Sequence, residues 1–275
     1  MEVIDIITAK HSFTALNDSV VSYFVPNRKK LYLCDSCLCF FSSPQFLERH
    51  LYECTNIFWI PGNEIYRDES RSLCVFEVDG RNIQSFLFLR RLGILTRFFL
   101  PEKVTLDDVH FFAFFVLCEV DDSGYHFVGY FSKEFRRNVN CINTLSCVMV
   151  LPPYRAKGYG TFLGELSYEI ARRESMIGTP ERPLSLSGKN LFRKVWQREV
   201  VRAITDLENR GYYISVNTIC KCSGLIAEDV LVALQDLGIM FSVGKQGPLI
   251  VLDDAIKQRY ARKALHSEFL QWVPS

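Results

Sequence analysis

The sequence has no run of the 18 or so consecutive apolar residues that a bilayer-crossing helix needs. It opens MEVIDIITAK, with neither a basic start nor an apolar signal core, so we expect an intracellular protein with no membrane partner. It has almost no net charge. The 32 Lys and Arg against 31 Asp and Glu leave +1, which removes any bulk electrostatic reason to bind nucleic acid or an anionic surface. It also lacks a G-K-[ST] triplet, which excludes a Walker loop. What is present is ordinary for a globular chain: 275 residues, 48% hydrophobic and 23% charged, enough to bury a core as one large domain or two smaller ones. Ten cysteines with only two close pairs, in a chain of this size, point to reduced thiols and a metal site rather than a disulfide framework.

The metal site is legible in the spacing Cys34-x2-Cys37, twelve residues, His50, three residues, Cys54. A knuckle supplies two thiolates, and a helix supplies two more ligands four residues apart on one face, closing a tetrahedron around zinc. Residues 42–52 fit that helix, with Phe46, Leu47 and Leu51 expected on its inner face. All four positions are filled, so the ion would be structural, with no place for a catalytic water. Cys39 is the competing ligand.

The chain is organised around residues 148–187. An apolar run (Val148, Met149, Val150, Leu151) ends at Pro152-Pro153. A basic glycine turn follows, Arg155-Ala156-Lys157-Gly158-Tyr159-Gly160, and an amphipathic segment starts at Thr161. Strand, turn and helix in that order bring main-chain N–H groups and a helix N-terminus to one place, which suits a pyrophosphate. Arg155 and Lys157 add side-chain charge. A glycine pair before a helix is common in turns, so the motif alone does not identify a phosphate site.

Elsewhere, residues 1–33 read as a strand or two. Residues 73–80 alternate and end in Asp79-Gly80, expected to be a tight hairpin turn. Phe88, Leu92, Leu95 and Phe99 give residues 86–100 a helical period that Pro101 stops. Residues 111–120 and 125–132 read as a hairpin across Asp121-Asp122-Ser123-Gly124, and with the Val148 strand they form the central sheet. Towards the C-terminus we expect a helix at 196–210, two short helices within 214–237 around Cys222-Ser223-Gly224, and a hairpin of 240–244 with 248–252. That is a winged-helix-like arrangement. Few basic or Asn/Gln residues lie in 219–237, so direct sequence-specific DNA binding is not expected.

The segments LPPYRAKGYG, GTPERPLS, LYLCDSC, GNEIYR, FEVDG and VGYFSKE together resemble the MYST family of histone acetyltransferases, over residues 32–274 or so. The resemblance implies an α/β (α+β) fold: an acetyl-CoA N-acyltransferase core with a central mixed sheet, an N-terminal C2HC zinc finger and a C-terminal winged-helix-like region. The corresponding segments are 1–70, 71–195 and 196–275, packed as one catalytic unit. It implies transfer of acetyl from acetyl-CoA to the ε-amine of histone-tail lysines, those of H4 foremost. The setting would be the nucleus, on nucleosomes and within a histone acetyltransferase complex. No chromatin-reading module precedes these motifs, so targeting would depend on partners.

Site residues follow from the same likeness. An amine with a pKa near 10.4 must lose a proton before it attacks a thioester, and a carboxylate raised toward neutrality is a suitable base. Glu181, in Gly178-Thr179-Pro180-Glu181-Arg182-Pro183-Leu184-Ser185, matches the family's base, and the flanking prolines stiffen its loop. Cys147 stands five residues before Pro152, where the family carries a cysteine. Asn138-Val139-Asn140-Cys141-Ile142 offers a rival in a shifted register, and the preserved distance to the loop favours Cys147. Whether Cys147 takes the acetyl group or lines the pocket stays open, with direct attack in a ternary complex preferred. Main-chain groups of Val148 and Val150, the turn Arg155, Ala156, Lys157, Gly158, Tyr159, Gly160 and Thr161, and Ser185 are the implied acetyl-CoA contacts. Lys103 matches the lysine that the family acetylates on itself. The sequence departs from the family at Leu186, where PLSDLG becomes PLSLSG. That departure keeps a second reading in view, a catalytically degenerate scaffold or chromatin-binding module.

Overall fold

Apolar residues at every second position make the first strands. Ile4 and Ile6 in β1 (Glu2–Ile7), Phe13 and Ala15 in β2 (Ser12–Asn17), and Leu31 and Leu33 in β3 (Lys30–Leu33) are all buried, while Val3, Ser12, Thr14 and Lys30 next to them are exposed. The computed structural model describes residues 2–17, 29–100, 108–135, 142–242, 248–262 and 264–274. With β4 (Phe40–Phe41) these strands form a sheet in the order β2-β1-β3-β4, in which β1 and β3 run parallel and the other pairs antiparallel.

The second sheet holds β5 (Asn63–Asp68), β6 (Leu73–Asp79), β7 (Phe112–Asp121), β8 (Gly124–Glu134) and β9 (Cys147–Val150), side by side in sequence order. Every pair in it is antiparallel, a correction to the mixed sheet that was expected; the parallel strand pair belongs to the N-terminal sheet. Val75, Phe115, Val116, Leu117, Phe127, Val128 and Phe131 are buried in near-continuous runs, so both faces of its middle are covered. The Asp79-Gly80 pair does not close a hairpin. Gly80 N–H donates to the Phe112 carbonyl at 3.0 Å, carrying the β6–β7 ladder one step further, and the chain then enters helix α2 (Phe86–Arg97). The hairpin at 121–124 is as expected, with Asp121 opposite Gly124 and Asp121 Oδ1 accepting from Ser123 N–H.

Between β4 and β5 runs α1 (Pro44–Glu53), capped by Ser43, whose side chain accepts from Phe46 N–H. All these elements belong to one compact unit, Met1–Phe135, Cys147–Lys157 and Phe269–Gln271.

His126 locks part of this unit. It is 4% exposed, with Nδ1 at 3.0 Å from Asp35 Oδ2 and Nε2 at 3.0 Å from Asp121 Oδ1, and Lys10 also pairs with Asp121. Burial pulls the imidazole pKa down, but the hydrogen bonds with both carboxylates outweigh it, and the net shift is upward. A raised folded pKa means that the stabilisation is complete below the unfolded value of about 6.5 and fades as pH climbs through the folded one. Replacing His126 with leucine leaves the Asp35 carboxylate buried without its counter-charge. A loss of about 3–5 kcal/mol in urea unfolding at pH 6 is therefore expected. The gap between the two proteins should narrow at pH 8; a gap that widens would refute the protonated-histidine lock.

The second compact unit comprises Arg136–Ser146, Gly158–Glu268 and Trp272–Ser275. Its helices are α3 (Tyr159–Arg173), α4 (Leu186–Asn209), α5 (Val216–Ser223), α6 (Ala227–Leu237) and α7 (Asp254–Tyr260). Helix α4 starts ten residues before the expected Trp196, because the Ser185 side chain accepts from Gly188 N–H at 3.1 Å and caps it there. It buries Phe192, Val195, Trp196, Val200, Ala203, Ile204 and Leu207 and packs on α3, α5 and α6. A capping box between Ser215 and Thr218 opens α5. Strands β10 (Met240–Ser242) and β11 (Pro248–Ile250) pair antiparallel, completing the winged-helix-like set. No helix among the described residues is long and apolar enough to cross a membrane.

Candidate active site

The Cys3His cluster assembles as its spacing requires. Leu38 N–H donates to the Cys34 carbonyl and Cys34 N–H to the Cys39 carbonyl, folding the knuckle, with Leu38 in the left-handed region at φ 60°. His50 in the last turn of α1 and Cys54 at its C-cap stand four residues apart and present their ligand atoms to it. One ligand atom from each of Cys34, Cys37, His50 and Cys54 lies within 4.8 Å of all the others, and Cys37 Sγ is 3.2 Å from His50 Nε2. Tetrahedral zinc, with bonds of roughly 2.3 Å to sulfur and 2.0 Å to nitrogen, needs ligand atoms about 3.3–3.8 Å apart, so the set fits. Cys39 is not part of the cluster. The inner face of α1 is Leu47, His50, Leu51 and Cys54; Phe46, at the edge of that arc, is 59% exposed rather than inward. Arg91 of α2 donates to the Cys37 carbonyl at 3.1 Å.

Strand β9 is the last in its sheet, and among the described residues no other strand pairs with it. Leu151 N–H donates to the Val128 carbonyl at 2.9 Å, and alternation along an antiparallel pair then turns the N–H and C=O groups of Val148 and Val150 away from β8. The Val150 carbonyl accepts from Arg155 Nε at 3.0 Å, which anchors the start of the basic turn. Cys147, at the head of β9, is buried. Its Sγ is 3.6 Å from Tyr130 Oη, which is 3.0 Å from Thr96 Oγ1 of α2. Burial pushes the Tyr130 phenol well above its ordinary pKa, so this hydroxyl stays neutral.

In the basic turn, Arg155, Ala156, Lys157 and Gly158 are exposed, and both Ala156 (φ 61°) and Gly158 (φ 94°) are left-handed. A Cβ on Gly158 would meet nothing within 4 Å, so it is the backbone angle that favours glycine there. Lys157 Nζ stands 5.4 Å from the Tyr154 ring centroid. Gly158 caps α3 with no side chain, and its carbonyl accepts from Phe162 N–H at 2.9 Å.

The loop carrying Glu181 is strapped on two sides. Thr179 N–H donates to the Ile142 carbonyl, Thr144 N–H to the Thr179 carbonyl, and Glu181 N–H to the Leu145 carbonyl, each at 2.9 Å. From the other side Gly178 N–H donates to the Gly224 carbonyl. A Cβ at Gly178 would lie 2.3 Å from the Ile142 carbonyl oxygen, which excludes any other residue at this close approach. The Asp229 carboxylate of α6, fully buried, accepts from Thr179 Oγ1 at 2.7 Å and from Arg182. Burial lifts its pKa to about 6, against the hydrogen bond from Thr179 and the charge of Arg182. Arg182 also lies over the Trp196 ring, whose Nε1 donates to Tyr168 Oη. Glu181 itself is partly exposed.

The MOZ/SAS family model matches residues 60–272. The chain belongs to the MOZ/SAS family. It is 38% identical over 235 residues to histone acetyltransferase of the MYST family 1 from Arabidopsis thaliana, 86% of this chain and 50% of that protein. It is 34% identical over 268 residues to the histone acetyltransferase Tip60 homolog of Caenorhabditis elegans, 92% of this chain and 57% of that one. To histone acetyltransferase SAS3 of Saccharomyces cerevisiae it is 37% identical over 251 residues, 84% of this chain and 29% of that one. The chain thus spans about half the length, or less, of these curated relatives.

As a MOZ/SAS chain the protein places Cys147, Val148 and Val150 on the edge strand and Glu181 on the strapped loop. Ser185 serves first as the cap of α4, its oxygen taken by Gly188 N–H. Leu186, at the first position of that helix, is 77% exposed. Lys103 and the rival Cys141 fall outside the described residues. Sequence reasoning missed Asp229 and Tyr130. Asp229 belongs to the acidic pair Glu228-Asp229 in the first turn of α6, which reads as an ordinary partner of the helix dipole.

Proposed function

We propose that the protein transfers an acetyl group from acetyl-CoA to the ε-amine of a histone-tail lysine, with H4 the preferred tail, in the nucleus and within a larger acetyltransferase complex. The observation that carries this reading is a MOZ/SAS chain that keeps both the strand, basic turn and helix and the strapped Pro-Glu-Arg-Pro loop, with relatives that are named histone acetyltransferases. The segments 1–70, 71–195 and 196–275 act together as one catalytic unit.

In this reading acetyl-CoA supplies the acetyl thioester. The outward main chain of Val148 and Val150 accompanies its extended arm, and Arg155 to Thr161 hold its phosphates with N–H groups and two cations. Ser185 keeps its hydroxyl proton free to donate near the reactive end. Glu181 takes the proton from the incoming ammonium. Cys147, neighbour of a neutral phenol, supports the transfer from beside the thioester. Zinc at Cys34, Cys37, His50 and Cys54 holds the fold.

The winged-helix-like region works as a packing and positioning element and does not read DNA. Helix α6, the counterpart of a recognition helix, carries Glu228, Asp229 and Asp236 and no Lys or Arg, a poor match for phosphates. The test is to incubate the purified chain with labelled acetyl-CoA and core histones. Label on H4 is expected. The absence of label on any histone, with coenzyme A binding retained, would leave the degenerate scaffold, the reading that Leu186 keeps alive.

A further inference from the structure

The two oxygens of the Asp229 carboxylate are shared between the residues on either side of Pro180-Glu181. Oδ2 accepts from Thr179 Oγ1 at 2.7 Å, and Oδ1 accepts from the Arg182 guanidinium. Asp229 is fully buried, whereas Arg182 is 42% exposed along its side chain, so the anchor is rigid and the residues it grips are the surface loop. The opposite edge of the loop is already tied by main-chain bonds to residues 142–145. Those bonds hold the main chain at Thr179 and Glu181; what they leave to side chains is the flank at Arg182, which is followed by Pro183 with no N–H to give. A single acid that takes one flank with each oxygen fixes it.

We propose that Asp229 is a positioning residue: it clasps Thr179 and Arg182 so that the Glu181 carboxylate is held at one orientation for proton removal. The inference rests on the reading of Glu181 as the base. It also gives the winged-helix-like region a part in the reaction, since α6 supplies the clasp. Trp196, stacked beneath Arg182 and tethered to Tyr168, limits where the guanidinium can go when the clasp is opened.

The test uses the full chain and three variants, Asp229→Asn, Arg182→Gln and the pair combined, with Gln235→Ala, at an exposed position of α6, as control. Asparagine keeps an acceptor for Thr179 but presents no charge to Arg182. Turnover is expected to fall about tenfold to a hundredfold in each single variant, the scale of a misplaced catalytic group, with the KM for acetyl-CoA little changed. The combined variant should lose no more than the worse single one, because both open the same clasp. Amide hydrogen exchange over residues 178–184 should accelerate in each variant while residues 190–207 of α4 keep their protection, a readout that needs no turnover and that general unfolding would not give. The control should match the parent protein. Unchanged exchange over 178–184 in Asp229→Asn, or losses that simply multiply in the combined variant, would overturn the clasp. The base assignment stands or falls separately, on the rate of Glu181→Gln: a fully active Glu181→Gln would remove the base while the exchange data still judged the clasp.

Discussion

Glu181→Gln is expected to lower the rate of acetyl transfer at least about a hundredfold at neutral pH, the usual contribution of a general base, and to leave acetyl-CoA affinity nearly unchanged. At pH 7.4 an amine of pKa near 10.4 is neutral in roughly one molecule per thousand, so direct attack requires that the proton be taken in the site. Glutamine has the size of glutamate and cannot accept that proton. The loop does not depend on the side chain for its shape, because the Glu181 N–H bond to the Leu145 carbonyl and the Thr179 bonds to Ile142 and Thr144 are all main-chain. The variant should therefore fold, bind cofactor and fail in turnover. Its residual rate should climb as pH rises toward 9, because more of the amine then arrives already neutral. Steady-state rates across pH 6.5–9 check this, and a variant as fast as the parent at pH 7 would take Glu181 out of its role.

The second large effect concerns the metal. Freshly purified protein should hold about one zinc per chain, and stripping it, or replacing Cys37 with serine, should unfold the N-terminal sheet. Structural zinc in small modules is worth on the order of 10–16 kcal/mol of apparent binding energy, more than most domains have in reserve. The knuckle follows directly on β3 and leads into β4, and its Cys37 carbonyl also receives Arg91 of α2, so the disturbance should spread beyond the module. Cys39→Ser, outside the four-residue cluster, should keep its metal. Metal analysis together with far-UV circular dichroism decides it: folded wild-type protein with a zinc content near zero would contradict the site.

The parts of the site that are local in sequence were readable. The four metal-binding positions carry their geometry in their spacing, and the strand, turn and helix around Pro152-Pro153 announce themselves by an apolar run, two prolines and two glycines. What was not readable depends on chain segments that meet only after folding. The Asp79-Gly80 pair has the composition of a hairpin turn, but the ladder to β7, thirty-odd residues away, claims the Gly80 N–H. Phe46 satisfies a helical period, yet the ligand pair His50 and Cys54 sets which arc of α1 faces inward. Trp196 looks like a helix start because the polar stretch before it hides the Ser185 cap. Asp229 stands almost fifty residues from the loop it grips, in the acidic first turn of a helix, where nothing local distinguishes it from a surface charge.

Helix α2 is held at Arg91 by the knuckle and at Thr96 by the hydroxyl that neighbours Cys147. One stiff strut therefore joins the metal module to the thiol. Loss of the ion is thus expected to change the speed at which an alkylating reagent consumes Cys147, a gauge that need not touch the ion itself.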